Sequence, residues 1–167
     1  MPEVSPNRPI GLGIGVVFDW ALAAQLTTQG VAGVAGLLGE SGGVIGLIWR
    51  LIAAGVLAAA GEALRRGVPW MRIAQIVLTA LVTVGGIASV VLLLAGRGGR
   101  GLVLSAIVEV TFAPYITWGL TRPHTARWFA AVRGKGRAPR LHGRGWIAVL
   151  VAWSVVWGVL VAWSQSL

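Results

Sequence analysis

A polytopic, all-α membrane helix bundle of about five transmembrane helices is the fold class this chain predicts, and three observations predict it. Charged residues make up only 11% of the chain and its mean hydropathy is +0.81, whereas a soluble domain carries about 25% charged residues. Several apolar runs reach roughly twenty residues, enough to cross a hydrocarbon core about 30 Å thick. The arginines collect in two of the segments between those runs. The 167 residues read as one integral membrane domain, 1–167.

The first span is expected over 10–29, where Gly11, Gly15, Asp19 and Ala23 recur at i,i+4 steps. Small and polar residues on one stripe mark a helix–helix contact in lipid, because they let two backbones approach closely. The second span, 43–64, carries such a stripe in Gly46, Arg50, Ala54, Leu57 and Gly61. The third, 72–95, carries a polar packing stripe in Gln75, Thr79 and Thr83, continued by Gly86. The fourth, 101–120, aligns Ser105, Glu109 and Phe112, with Pro114 just beyond. The fifth, 145–165, is rich in Trp.

Between the first two spans lies GVAGVAGLLGESG, residues 30–42, with Gly at every third position. It has no Pro, so a collagen reading fails. Gly costs a helix about 1 kcal/mol per residue relative to Ala in water. The segment therefore reads best as an irregular connection dipping into the outer interface, with a turn or an extension of the first helix as alternatives. Near the N-terminus, Arg8, a short apolar run and Ala21–Ala23 have some features of a signal peptide. Asp19 inside the run argues against cleavage.

Orientation follows from Arg and Lys in the connections. The second-to-third carries Arg65, Arg66 and Arg72. The fourth-to-fifth, 121–144, carries Arg122, Arg127, Arg133, Lys135, Arg137, Arg140 and Arg144. The third-to-fourth has only Arg97 and Arg100, and the first-to-second has Glu40 and no base. The two richest loops should be cytoplasmic, which puts the N-terminus in and the C-terminus out. Trp70, Trp118, Trp128 and Trp146 fall near cytoplasmic ends and Trp163 near the outer end, the levels that amphipathic rings prefer. A multi-pass protein of a cell membrane follows, with the bacterial inner membrane the expected location.

Three ionisable residues form a candidate intramembrane charge cluster: Asp19, Arg50 and Glu109. Each costs at least ~2.5–3.5 kcal/mol at a helix centre, so each should face the bundle and pair. Arg50 and Glu109 lie seven and eight residues in from the outer ends of their helices, roughly 10–12 Å deep at 1.5 Å per residue. The depths match an Arg50–Glu109 ion pair that fixes helix register, with Asp19 a second partner for Arg50. Two acids and one base leave one carboxylate without a cation. That carboxylate would serve a proton pathway, or nothing beyond a hydrogen bond to a Thr or Gln of the third helix.

The basic loop opens with TRPHTARWFAAV. Pro123 suits a first helical position, and Arg127, Trp128 and Phe129 make a short amphipathic segment expected at the membrane surface. The seven bases of the loop (Arg122 to Arg144) are read as contacts to anionic lipid headgroups or an acidic partner. No stacking platform accompanies them, so nucleic acid is not expected. In its Thr121, Arg122, Pro123, Arg127, Trp128 and Phe129, the chain from Arg72 onward resembles small multi-spanning bacterial membrane proteins of unknown function, over about 60 residues. That resemblance implies no activity.

In the fifth span Trp146, Trp153 and Trp157 share a face at spacings of seven and four. Trp153 and Trp157 are too deep for interface anchoring. The face is expected to pack on lipid or another helix, or to take a flat apolar ligand or a partner subunit.

The chain has no Cys, and both His124 and His142 lie in the basic loop. A haem held by intramembrane His and thiolate metal sites are therefore not expected. No phosphate-binding loop, zinc-protease helix or serine elbow occurs, and GLGIG at residues 11–15 lacks the strand and third Gly of a dinucleotide site. No cofactor and no metal are predicted. The leading expectation is a non-enzymatic subunit or accessory protein of a larger membrane assembly, in contact with lipid and with other subunits or copies of itself. The alternative is a small oligomeric transporter or channel using Asp19, Arg50 and Glu109 in a proton or ion pathway. An intramembrane enzyme acting on lipid ranks third.

Overall fold

The computed structural model describes residues 9, 11–35, 43–97, 101–134 and 144–164. These form six helices: α1 Leu12–Val34, α2 Gly43–Arg65, α3 Pro69–Leu94, α4 Gly101–Thr121, α5 Pro123–Gly134 and α6 Arg144–Ser164. Among the described residues there is no strand. Among the described residues, three helices are long and apolar enough to cross a membrane: Gly43–Arg65, Pro69–Leu94 and Val103–Thr121. In α1, Asp19, Gln25, Thr27, Thr28 and Gln29 dilute the apolar residues. Thr27 and Thr28 turn their hydroxyls back onto the Ala23 and Ala24 carbonyls, which hides them from an apolar surrounding.

The packing is organised around α1. It runs along α2 on one side and α6 on another, and it touches α4, while α3 pairs with α4. α1 begins at Gly11, whose φ of 89° lies in the left-handed region. A Cβ there would also stand 3.3 Å from Gly119 Cα of α4. Only glycine meets both conditions, and the crossing of α1 over the end of α4 depends on it.

The helix continues through Gly30 and Gly33 to Val34, which corrects the irregular connection expected from residue 30. Its physical reason is contact. Gly30 is buried against α2, where a Cβ would meet Leu47 Cδ1 at 2.9 Å. The missing side chain admits the neighbouring helix, and that packing outweighs a propensity measured in water. Residues 36–42 of the expected connection lie outside the described residues. α3 also starts earlier than expected, at Pro69 rather than Arg72, because proline's fixed φ suits the first helical turn.

α5 differs from the expectation in where its aromatic face goes. Thr125, Trp128, Phe129 and Val132 share one side of the helix and are all buried. Trp128 and Phe129 are each 2% exposed and meet edge to face at 5.0 Å. They join Leu12, Leu64, Met71 and Leu120 in the apolar core. The segment thus caps the end of the bundle with its apolar face inward, and Trp128 is not an interface anchor. Arg127 remains on the exposed side.

Two hydrogen bonds lock α5 and α3 to the end of α4. Thr125 Oγ1 donates to the Gly119 carbonyl at 2.8 Å, and Arg72 Nε donates to the Leu120 carbonyl at 2.8 Å. The last carbonyls of a helix have no partners within it, so these contacts satisfy groups that would otherwise be buried unpaired. Gly67, in the turn from α2 to α3, has φ 72° and lies under Trp128 and Val132; a Cβ there would meet Val132 Cγ1 at 2.9 Å.

Candidate functional site

The most buried charge-bearing residue is Asp19. It is fully buried in α1, and Gln75 of α3 is buried with it. Gln75 Nε2 donates to Asp19 Oδ1 at 2.7 Å. From α2, Gly61 closes the site: a Cβ there would lie 3.3 Å from Asp19 Cβ and 2.7 Å from Trp20 Nε1. The polar seam continues along α3. Thr79 Oγ1 donates to the Gln75 carbonyl at 2.8 Å and meets Thr117 Oγ1 of α4 at 2.7 Å. Thr117 also reaches its own Ala113 carbonyl, and Thr83 donates to the Thr79 carbonyl. With a longer contact from Thr79 Oγ1 to the Ile76 carbonyl at 3.4 Å, the two hydroxyls of Thr79 and Thr117, one proton each, serve four contacts with two protons.

This seam ties α1 to α3 and α3 to α4 with side-chain bonds, which in an apolar medium act as interhelical glue. It is not fully satisfied. Asp19 Oδ2 and Gln75 Oε1 are buried and have no hydrogen-bond partner among the described residues. Both are acceptors when the carboxyl is ionised. A protonated carboxyl is a donor as well as an acceptor, and it needs no cation.

Arg50 and Glu109 do not pair, which corrects the expected ion pair. The ion pairs among the described residues are Glu62–Arg65 and Glu62–Arg66. Arg50 lies on α2 beside Gly30 of α1, with Nη1 directed back toward Gly46. Glu109 lies on α4 against Gly86 of α3, where a Cβ would meet Glu109 Cβ at 2.7 Å. Equal depth was not sufficient, because α2 packs mainly on α1 while α4 packs on α3. Asp19 is not a partner for Arg50 either. It sits beside Gly61, eleven residues or about 16 Å farther along α2.

Glu109 instead lines a cavity of about 130 Å³ with Gln25, Ser105, Phe18, Val82 and Trp157. An adjoining cavity of about 90 Å³ is walled by Ile14, Val17, Phe18, Phe112, Trp153 and Trp157. The two share the wall residues Phe18, Ala21, Val108 and Trp157, so they lie side by side along a groove between α1, α4 and α6, the larger one polar and closed in part by Val82 of α3, the smaller one apolar. Trp153 is 60% exposed on its rim.

Of the basic loop, Arg122 stacks over the Trp118 ring at 3.9 Å, and Arg127 is exposed. Arg133 and Arg144 belong to α5 and α6, but their side chains lie outside the described residues, as does the side chain of Trp146. Lys135, Arg137 and Arg140 lie outside them altogether.

Glu62 is the polar residue that sequence reasoning passed over. Arg65 grips it with Nε and Nη2 at 2.6 and 2.7 Å, and Arg66 Nε adds a bond at 2.7 Å. The i,i+3 and i,i+4 spacings were the available signal. Comparison with protein-family models, with curated proteins and with solved structures returns no match.

Proposed function

We propose that the protein is a five-span membrane protein, with α1 to α4 and α6 crossing a bacterial inner membrane, that works as a non-enzymatic subunit or accessory protein of a larger membrane assembly. The observation that carries this reading is a set of uncovered small residues on apolar helix faces. On α2, Gly55 and Ala59 are exposed beside the exposed Ile52 and Val56. On α3, Gly85 lies between exposed Leu81, Val84 and Ala88. A Cβ at Gly55 or Gly85 would meet nothing within 4 Å. Such faces let another helix approach closely, whereas the glycines at Gly30, Gly61 and Gly86 already serve contacts inside the bundle.

Charge supports the orientation. Arg65, Arg66, Arg72, Arg122 and Arg127 belong to the helix ends near α5, and Arg97 belongs to the opposite end of α3. The end with more arginines is the cytoplasmic one. The chain has no cysteine, so single-cysteine labelling gives a clean test: R66C should react only with reagent from the cytoplasmic side, and R97C from outside.

Native mass spectrometry of the protein, extracted from its own membrane in mild detergent, tests the assembly. Recovery with stoichiometric foreign subunits is expected. Recovery alone or as a homo-oligomer overturns the subunit reading.

A second reading, a small transporter or channel, is favoured by the uncompensated carboxylates of Asp19 and Glu109 in neighbouring parts of one bundle. Intramembrane carboxylates without cations are the usual carriers of protons. Proteoliposomes should then show proton-linked flux that Asp19→Asn and Glu109→Gln abolish. Arg50, which lies apart from both, should be dispensable for it.

A further inference from the structure

We infer that the groove between α1, α4 and α6 is a binding site for a lipophilic amine, a molecule with one ammonium group on an aromatic or aliphatic body. The inference concerns a ligand of this chain and stands whichever proposed role is correct.

The polar end of the groove selects the head. Glu109 makes no ion pair and no hydrogen bond with any described residue, and it lines the larger cavity together with Gln25 and Ser105. Among the described residues, no lysine, arginine or histidine lines either cavity. An anionic head would therefore meet a carboxylate with nothing to offset it. A neutral head would leave the carboxyl to be protonated, or uncompensated, and would gain nothing from its charge. An ammonium answers the charge and can donate to Gln25 as well. Its other neighbours are Phe18 and Trp157, aromatic rings of the kind that attract cations through their negative faces.

The apolar end selects the body. Phe112, Trp153 and Trp157 wall it with Ile14, Val17 and Phe18, and flat rings or short chains fit such a wall. Size agrees. The two cavities are about 90 and 130 Å³, each smaller than the cavity of about 150 Å³ that admits benzene. Neither alone reaches the size that holds a ring, so a ligand with both a ring and a head group must span the two.

A phospholipid with an amine in its head group presents the same ammonium, but the structure favours a free amine. Glu109 stands eight residues inside the start of α4, about 12 Å from that end of the helix. A phosphate attached to the ammonium would then have to sit beside the carboxylate with no cationic partner.

The test uses the full chain in phosphatidylcholine nanodiscs, with 1-naphthylmethylamine and 1-naphthylmethanol as probes and equilibrium dialysis against empty nanodiscs as the baseline. The amine should bind at least tenfold more tightly than the alcohol. Glu109→Gln should remove that preference and leave alcohol binding unchanged, and Glu109→Asp should retain part of it. Trp157→Ala should weaken both probes. Arg50→Gln should change neither. Equal binding of the two probes to the unmodified protein overturns the inference without recourse to any variant. So does a preference that survives Glu109→Gln in a folded protein. Displacement of the amine by phosphatidylethanolamine added to the nanodisc would assign the groove to a lipid and overturn it as well.

Discussion

Asp19 and Gln75 show how a single polar contact can organise a bundle. Their bond is the only side-chain link from α1 to α3 among the hydrogen bonds described, and it is buried at both ends. Asp19→Leu would leave the Gln75 amide with unmet donors and acceptor in an apolar site, at a cost of about 1–3 kcal/mol. Gln75→Leu would leave the carboxyl alone. The double variant removes both orphans together. It should therefore be less destabilised than the sum of the singles, by about 0.5–2 kcal/mol, when unfolding is followed in detergent. Strict additivity would mean that the contact contributes nothing. The presence of Asp19 on a small-residue stripe was legible from its spacing with Gly11, Gly15 and Ala23. A bond from a surplus carboxylate to a Thr or Gln of the third helix was among the alternatives the sequence offered. That Asp19 is that carboxylate, and that Arg50 pairs with neither acid, was not legible, because periodicity gives a face and no neighbour.

Among the helices, α5 carries the largest difference between pattern and outcome. The amphipathic pattern of Thr125, Trp128, Phe129 and Val132 was visible in the sequence, and an apolar face of that kind suits lipid or protein equally. The end of the bundle offers it Leu12, Leu64, Met71 and Leu120, and the aromatic pair fills that space. Trp128→Ala should therefore cost about 3–5 kcal/mol, the range for emptying a buried aromatic site. Trp70, which is 65% exposed, should tolerate the same change within about 0.5 kcal/mol. Parallel thermal melts of the two variants in one detergent decide the matter, and equal losses would place α5 on the membrane surface after all. Gly67→Ala tests the same junction from the other side. It forces a side chain into a left-handed residue beneath Val132, and should destabilise by about 1–2 kcal/mol from backbone strain alone, whereas Gly55→Ala, inside α2 with open space around it, should be neutral or stabilise by up to about 1 kcal/mol.

For the molecule as a whole, the arrangement of helices decides which charges meet. With α2 packed mainly on α1 and α4 on α3, Arg50 and Glu109 are separate features of one bundle. Arg50→Met and Glu109→Leu should then be additive in stability to within about 0.5 kcal/mol. A buried pair would behave otherwise, since breaking either half costs about 3–5 kcal/mol and removing both relieves much of it. A double variant clearly more stable than the sum would restore the ion pair and refute the helix arrangement described here.

By itself the sequence determined the apolar helical class, the long helical elements, the packing stripes of α1 to α3 and the end that gathers positive charge. Each of these depends on composition or on a period of 3.6 residues, which a single chain displays directly. On α4 the fully buried residues are Ala106, Ala113, Ile116 and Leu120 rather than the expected stripe of Ser105, Glu109 and Phe112. Tertiary structure alone decided three further matters: Asp19 meets Gln75, Glu109 turns to a groove beside Trp157, and the glycines after residue 29 continue α1. The common reason is that each depends on which helix stands opposite. In an apolar medium close packing between particular surfaces selects that neighbour, and a pattern along one helix does not contain it.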